Sequence, residues 1–315
     1  MTRKTRSFNV LASLLKLQLA FLYVGLFTFL FLACGNLCRA AVPAFNGSRA
    51  FQSTQKATTF GERPSGSDAI VKLRAWITGE LRPLGGQLQP DTFAGQTPAG
   101  PVEMENIILK FPGTSGKAVV VTGHYDTKRI PLVHFVGAND AGSSTGFLLE
   151  FARDVAKMRH PDDLYVVFFD GEEAVGEWTD TNSLYGSRHL AQKWSADGTL
   201  SRIKALINVD MIGDKDLDIL NDSNSSQSLR DLVAKVAIKL GDAKYFHKDV
   251  SGIDDDHMPF VNAGVNAIDL IDFTYGAQNS YWHTEKDTMD KLSAHSLQVV
   301  GDVVLGVVSE LEGAA

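Results

Sequence analysis

Four segments of this 315-residue chain carry carboxylate or imidazole side chains in settings that suit chemistry. Glu172 and Glu173 directly follow an apolar run, within the string FFDGEEA at 168–174. Asp140 lies in a glycine-flanked loop (GANDAG, 137–142) ahead of a helical pattern, and Asp210 ends a second apolar run. His283 lies near the end of the chain, within YWHT. Such a set can hold a catalytic zinc ion through three protein ligands and leave its fourth position open.

Adjacent carboxylates such as Glu172 and Glu173 point in different directions, so that one can ligate a metal ion while its neighbour moves protons. An isolated Glu-Glu pair is more often a solvated acidic turn, and each of the four segments alone is a weak signal. Three of the four lie beside a predicted strand end or helix start, and together they predict a metal-dependent site. Both cysteines of the chain, Cys34 and Cys38, precede position 40, so metal ligands in the remainder must be His, Asp and Glu.

Composition narrows the class of protein. With 44% hydrophobic and 21% charged residues, the chain is of ordinary globular type and is neither disordered nor collagen-like. Five of its 30 basic residues and none of its 37 acidic residues lie in the first forty positions. The remainder is therefore strongly acidic and would repel a phosphate backbone, so we expect no nucleic-acid partner.

The apolar pattern beyond residue 41 alternates between strands and helices. A helical pattern at 70–81 follows a stretch that we interpret as loop up to about Gly66. Short apolar runs predict buried strands at 106–111, 118–122, 164–169, 205–209 and 267–271. Helical patterns separate them at 143–157, 187–193, 229–240 and 294–311. This alternation predicts a single three-layer α/β domain, with a mostly parallel mixed sheet covered by helices on both faces.

The candidate residues follow the ends of these strands. Ligands of open α/β sheets sit beyond the carboxyl ends of the strands. His124 and Asp126 follow the strand at 118–122, the Glu172–Glu173 pair follows the strand at 164–169, and Asp210 ends the strand at 205–209. The predicted elements therefore gather the chemistry at one edge of the sheet.

Residues 1–41 have the order of an export signal. Basic Arg3, Lys4 and Arg6 precede an apolar run at 17–34, and small residues follow at Ala40 and Ala41. The run is close to the roughly 20 residues that span a bilayer, so an uncleaved membrane anchor is an alternative, as is lipid attachment at 31–34. We expect an exported protein, periplasmic or secreted, with membrane anchoring as the alternative and with its catalytic domain at 42–315.

Longer strings in the domain resemble glutaminyl-peptide cyclotransferases (glutaminyl cyclases), within the zinc-dependent aminopeptidase superfamily. Residues 168–190 read FFDGEEAVGEWTDTNSLYGSRHL, and DDHMPF at 255–260 and WHT at 282–284 match two further cyclase segments. The resemblance extends from about Phe60 to the C-terminus. It departs from the pattern of animal cyclases, which carry a cysteine pair in this region and a histidine where this chain has Asp269.

The resemblance implies a single zinc ion held by Asp140, Glu173 and His283. It implies that Glu172 is the general acid and base. The activity it implies is cyclisation of an N-terminal glutamine to pyroglutamate, with ammonia released, so that peptide and protein N-termini are the substrates.

The resemblance also implies supporting roles around this centre. Asp210 and Asp255 match carboxylates that hydrogen-bond near the acid and base, and we expect them to raise the pKa of Glu172. Trp178 and Trp282 match aromatic walls of the substrate pocket.

Two other functions remain open on the sequence. A two-zinc aminopeptidase would use His124, Asp140, Glu173, Asp210 and His283 as its five ligands, with Asp140 bridging the ions, and all five residue types are present. The tryptophans favour the cyclase because they would narrow the pocket. A binding module that has lost its metal would show a substituted ligand or acid, and none is substituted here.

Overall fold

A computed structural model describes residues 43–313, with the backbone alone for 247–250. Its helices are α1 to α7 in chain order: Gly47–Thr58, Asp68–Leu81, Gly142–Val155, Tyr185–Ala196, Gln227–Leu240, Met258–Asn262 and Ala294–Gly313. Its strands are β1 to β8: Gln87–Thr97, Gly100–Phe111, Ala118–His124, Asp163–Phe169, Ile203–Asp210, Ile219–Asp222, Phe246–Ser251 and Ala267–Ile271. Short 3₁₀ turns lie at Arg82–Leu84, Leu200–Arg202, Ala243–Tyr245, Ala277–Asn279 and Met289–Lys291.

Six strands form one mixed sheet in the order β1-β2-β4-β3-β5-β8. Strands β4, β3, β5 and β8 run parallel to one another, whereas β1 and β2 add an antiparallel edge. A separate parallel pair joins β6 and β7. The predicted three-layer α/β fold, with a mostly parallel mixed sheet, is confirmed. All five predicted strands are present, β8 with the predicted bounds.

The chain leaves β3 through α3 to reach β4 on one side, and later reaches β5 on the other side of β3. Strand order therefore reverses next to β3. At such a switch point the loops diverge and open a crevice at the carboxyl ends of the strands. The topology alone thus places the ends of β3, β4, β5 and β8 around one crevice.

Helix α7 packs a stripe of valines on the sheet. Val300, Val303, Val304 and Val307 are buried, in agreement with the predicted apolar face. Within the described residues, α7 is the helix that is apolar enough and long enough to span a bilayer. More than half of its most apolar stretch, however, is buried inside the protein. Its hydropathy is that of a core helix.

The interpretation of the stretch before Gly66 as loop was wrong, because α1 occupies Gly47–Thr58. The buried residues of α1 are small or polar, including Ala50, Ser53, Thr54 and Ala57, so they leave no apolar period to read. The helix is secured by its close approach to α3 and by an N-cap at Asn46, whose side chain accepts the amide N–H of Arg49.

The close approach of α1 and α3 depends on Gly146 of α3. A Cβ there would lie 2.1 Å from Thr54 Oγ1 and 2.5 Å from the carbonyl oxygen of Ala50. We expect Gly146→Ala to lower the free energy of unfolding by about 1–3 kcal/mol, because the two helices must separate. Gly79→Ala is the matched control, since a Cβ on that exposed helical glycine meets nothing within 4 Å. It should raise stability by about 0.5–1 kcal/mol. Denaturant titration measures both, and equal stabilities would contradict this packing.

Candidate active site

The crevice at the carboxyl ends of the strands holds a cavity of about 350 Å³. Eight of the nine residues singled out from the sequence line it: Asp140, Glu172, Glu173, Trp178, Asp210, Asp255, Trp282 and His283. The ninth, His124, is buried and does not line the cavity. Residues separated by up to 143 positions therefore meet in a volume of the size that binds small ligands.

His283 lies between two carboxylates. Its Nε2 is 3.2 Å from Asp140 Oδ2 and 3.0 Å from Glu173 Oε1. Ligand atoms of these three residues all lie within 4.8 Å of one another, as in a tripod that can close on one metal ion. Two carboxylates and one imidazole, without a thiol, are a donor set that suits catalytic zinc, so the residues fit the group that the sequence predicts.

The pKa values within this tripod reflect its charges. Burial alone would raise the pKa of Glu173, but the hydrogen bond and charge of His283, with Lys128 nearby, hold it down at about 2. Burial alone would lower the pKa of His283, but its hydrogen bonds to Asp140 and Glu173 raise it to about 9. A proton on His283 thus balances the charge of the two acids, and a metal ion that binds here must displace it.

A second convergence of ligand atoms lies beside the first and shares Asp140. His124 Nε2 is 3.1 Å from Asp210 Oδ1 and 3.4 Å from Asp140 Oδ1, and the three groups again lie within 4.8 Å of one another. On the other side of the ring, His124 Nδ1 is 3.5 Å from Asp126. The geometry therefore presents the five ligand types of a two-metal site, with Asp140 in the bridging position.

Glu172 differs electrostatically from its neighbour Glu173. Burial raises the pKa of Glu172 well above that of a free carboxylic acid, and the charges of Glu173 and Asp255 add to the effect while His124 opposes it. Asp210, the other carboxylate expected to raise this pKa, faces His124 at 3.1 Å. A carboxyl group whose pKa is raised in this way is a stronger base than a free carboxylate and is a candidate for proton transfer.

Asp126 sets the positions of both glutamates. Its two carboxylate oxygens accept the backbone N–H groups of Glu172 at 3.1 Å and of Glu173 at 3.3 Å. The turn before them depends on Gly171, which has a φ of 72° in the left-handed region that favours glycine. The adjacent glutamates are therefore held on one tight turn after β4.

Asp287 plays the same part for the loop of Asp140. It accepts the backbone N–H groups of Asn139 and Asp140 at 2.8 and 3.1 Å, and the Tyr275 hydroxyl donates to it at 2.8 Å. The buried Arg63 guanidinium secures the start of that loop by donating to the carbonyl oxygen of Gly137. Burial, with the charge of Asp140, raises the pKa of Asp287 to about 7.

The sequence analysis missed both Asp287 and Arg63. No local motif marks either residue, and each acts across a long sequence separation on backbone groups. The sequence analysis identified Asp255, but its hydrogen-bond partner is apparent only in the folded structure. Asn208 Nδ2 donates to Asp255 at 2.8 Å and to Asp269 at 3.1 Å, so that the departure at Asp269 lies in the same buried network.

Aromatic side chains form the walls of the cavity. Trp282 stacks on His283 with ring centroids 3.9 Å apart, and Phe273 meets Trp282 edge-on. Across the cavity, Trp178 is 39% exposed, and its Nε1 lies 3.4 Å from Asp254 Oδ2. His283 itself has a φ of 54°, a strained conformation for a non-glycine residue that its packing holds in place.

Comparison with known proteins gives a consistent family. Residues 106–308 match the sequence profile of peptidase family M28. A glutaminyl-peptide cyclotransferase of Drosophila melanogaster is 30% identical over 68% of this chain and 67% of its own length. The crystal structure of an Acidobacteriales bacterium glutaminyl cyclase is 39% identical, with a TM-score of 0.85, over 88% of this chain and 98% of that one. A Zn-dependent exopeptidase from Parabacteroides distasonis is 27% identical, with a TM-score of 0.77, over 85% and 99%.

The role of Asp126 can be tested by amide hydrogen exchange. Asp126→Ala leaves two buried N–H groups without an acceptor, and each costs about 1–3 kcal/mol. We expect exchange protection at the Glu172 and Glu173 amides to fall at least tenfold in this variant. Asp126→Asn, which keeps one acceptor oxygen, should lose protection at one amide more than at the other. Unchanged protection at both amides in Asp126→Ala would contradict this role.

Proposed function

The chain belongs to peptidase family M28 and to its glutaminyl-peptide cyclotransferase branch, and from this we infer that it converts N-terminal glutamine residues of peptides into pyroglutamate. The observation that carries the proposal is the single cavity in which the metal tripod, the high-pKa Glu172 and two tryptophan walls meet. Ammonia is the second product.

We propose that Asp140, Glu173 and His283 hold one zinc ion. When bound, zinc would supply Lewis-acid polarisation of the γ-carboxamide oxygen of the substrate. Lys128 Nζ lies 3.1 Å from Glu173 Oε2, the oxygen that does not face His283, and so holds the orientation of this ligand. His124 and Asp126, which are buried and do not line the cavity, support the site through hydrogen bonds.

Glu172 is the proposed proton shuttle. The free α-amine of the glutamine attacks its own γ-carboxamide carbon, and a C–N bond forms that closes a five-membered ring. Glu172 takes the proton from the attacking amine and delivers it to the departing nitrogen, so that the old C–N bond breaks and ammonia leaves. The raised pKa of Glu172 suits both transfers, since a free carboxylate is too weak a base for the first.

The walls position the reacting glutamine. Trp178 and Trp282 face the cavity and exclude water from a side chain that must fold back on its own amine. Asp210 and Asp255 are the proposed carboxylates that line the floor beside Glu172. The walls and these carboxylates would hold the amine close to the carboxamide carbon of the same residue, as an intramolecular cyclisation requires.

A metallo-aminopeptidase is the second candidate function. The observation that favours it is the convergence of His124 and Asp210 on the far side of Asp140, which would hold a second zinc ion. In that enzyme Glu172 would activate water, and N-terminal residues would be removed from peptides instead of cyclised.

We further propose that residues 1–41 direct export and that residues 42–315 are the catalytic domain. Residues 1–41 lie outside the described residues. The support for this proposal is the order of basic, apolar and small residues in their sequence. We expect the enzyme to be periplasmic or secreted, or to be anchored to the membrane by residues 1–41. Cell fractionation tests it, and activity confined to the cytosol would contradict export.

The product identifies the reaction. Incubation with a glutamine-initiated and a leucine-initiated peptide should release ammonia from the first and leave the second intact. Glu172→Gln should lower kcat at least about 100-fold, because it removes the proton shuttle. Glu177→Gln is the matched control, an exposed acid of the same loop that does not line the cavity. Release of free leucine would make the chain an aminopeptidase instead.

The metal content tests the ligand assignment separately from turnover. We expect one zinc ion per chain in the purified protein, removed by chelation and restored by added zinc. His283→Ala should weaken zinc binding by more than about 100-fold, whereas His134→Ala, at an exposed histidine, and Glu172→Gln should retain the ion. Two zinc ions per chain, with one lost in His124→Ala, would contradict the single-ion site and favour the aminopeptidase.

A further inference from the structure

A short loop beside the cavity, residues 129–134, has no part in the chemistry described above. Its sequence is Arg-Ile-Pro-Leu-Val-His, and Arg129, Pro131, Leu132 and His134 are exposed. Leu132 is fully exposed, more so than any other large hydrophobic side chain of the described residues. We call residues 129–134 the finger loop.

Both ends of the finger loop are fixed at the metal tripod. At one end, Lys128 lines the cavity and its Nζ lies 3.1 Å from Glu173 Oε2. At the other end, the buried Phe135 ring meets His283 edge-on, with centroids 5.6 Å apart. The six residues between these anchors therefore leave the site after Lys128 and return to it at Phe135.

The tip of the finger loop is a tight turn that is poorly suited to its own sequence. The N–H of Val133 donates to the carbonyl oxygen of Ile130 at 3.3 Å, with Pro131 and Leu132 at the turn. Leu132 has a φ of 66°, a conformation that favours glycine or asparagine. A leucine that is both strained and fully exposed gains no burial in the folded chain, and such a residue is a candidate for contact with another molecule.

The reach of the loop indicates what its tip can meet. Leu132 is three residues from the Phe135 anchor and four from the Lys128 anchor, so its Cα lies at most about 10 Å from that of Phe135, at roughly 3.3 Å per extended residue. A peptide whose first residue occupies the cavity leaves it at the same rise per residue. Its third or fourth side chain would therefore lie at a comparable distance from the tripod.

We propose that the finger loop is a docking surface for the peptide substrate, with Leu132 contacting an apolar side chain at the third or fourth position. The proposal rests on the proposed function, and it makes the enzyme selective for sequence beyond the reacting glutamine. The half-buried Ile130 and Val133 extend the apolar contact at the base of the turn.

The test compares substrates that differ in length and in the position of one leucine. The substrates are a glutamine-glycine dipeptide amide and glycine-serine heptapeptides that begin with glutamine and carry one leucine at position 2, 3, 4 or 6. For the wild-type chain we expect kcat/KM to be about three- to tenfold higher with leucine at position 3 or 4 than at position 6. In Leu132→Asn this ratio should fall to about one.

Two features keep the outcome interpretable. Asparagine accepts the left-handed conformation at position 132, so we expect the melting temperature of Leu132→Asn to be no lower than that of the wild type. Leu240→Asn, which removes a partly exposed leucine at the end of α5, should keep the positional preference.

Three results would overturn the proposal: no positional preference in the wild type, the same preference in Leu132→Asn, or an equal fall for the dipeptide amide and the heptapeptides. If the dipeptide amide and every heptapeptide release no ammonia, the cyclase function itself fails. Turnover of these substrates without a Leu132 effect removes only the finger loop from substrate recognition.

Discussion

The crowding of buried carboxylates at the carboxyl ends of four parallel strands is the constraint on which this structure depends. Acidic groups at such distances repel one another, and each must be matched by a cation or by backbone N–H donors. His283 lies between Asp140 and Glu173, and His124 faces Asp210. Asp126 and Asp287 accept backbone amides, and Asp255 accepts the side-chain amide of the buried Asn208. Folding therefore assembles a site whose charges are balanced within the protein, and a metal ion bound at the tripod would displace the proton of His283.

The elements that position this site were largely predictable because buried strands leave continuous apolar runs. Polar residues directly after those runs, such as Asp126 and Glu172, had to meet where the strands end. The helix α1 was missed because its buried face consists of alanine, serine and threonine, and its place is decided by the close approach to Gly146. Strand β1 was missed because it is an exposed edge strand whose burial alternates, without an apolar run.

The residues that line the cavity could be named from motifs, but the residues that support them could not. Asp287 and Arg63 act on backbone groups of the Asp140 loop from 147 and 74 positions away, and no spacing records such contacts. The same limit applies to the choice between cyclase and aminopeptidase. Both enzymes use the same residue types around Asp140, so the distinction depends on the walls of the cavity and on how many ions the two adjoining sets of ligands hold.

The tight turn that carries Glu172 and Glu173 couples two functions mechanically. Because one carboxylate, that of Asp126, accepts both of their amides, neither glutamate can shift to suit a new substrate without moving the other. Under the proposed function, adaptation to different peptides would fall to the rim, where Trp178 is partly exposed. An inhibitor that bound only to a metal ion held by the tripod would not distinguish this protein from relatives with the same three residues. Selective inhibitors would have to be built outward, along the rim.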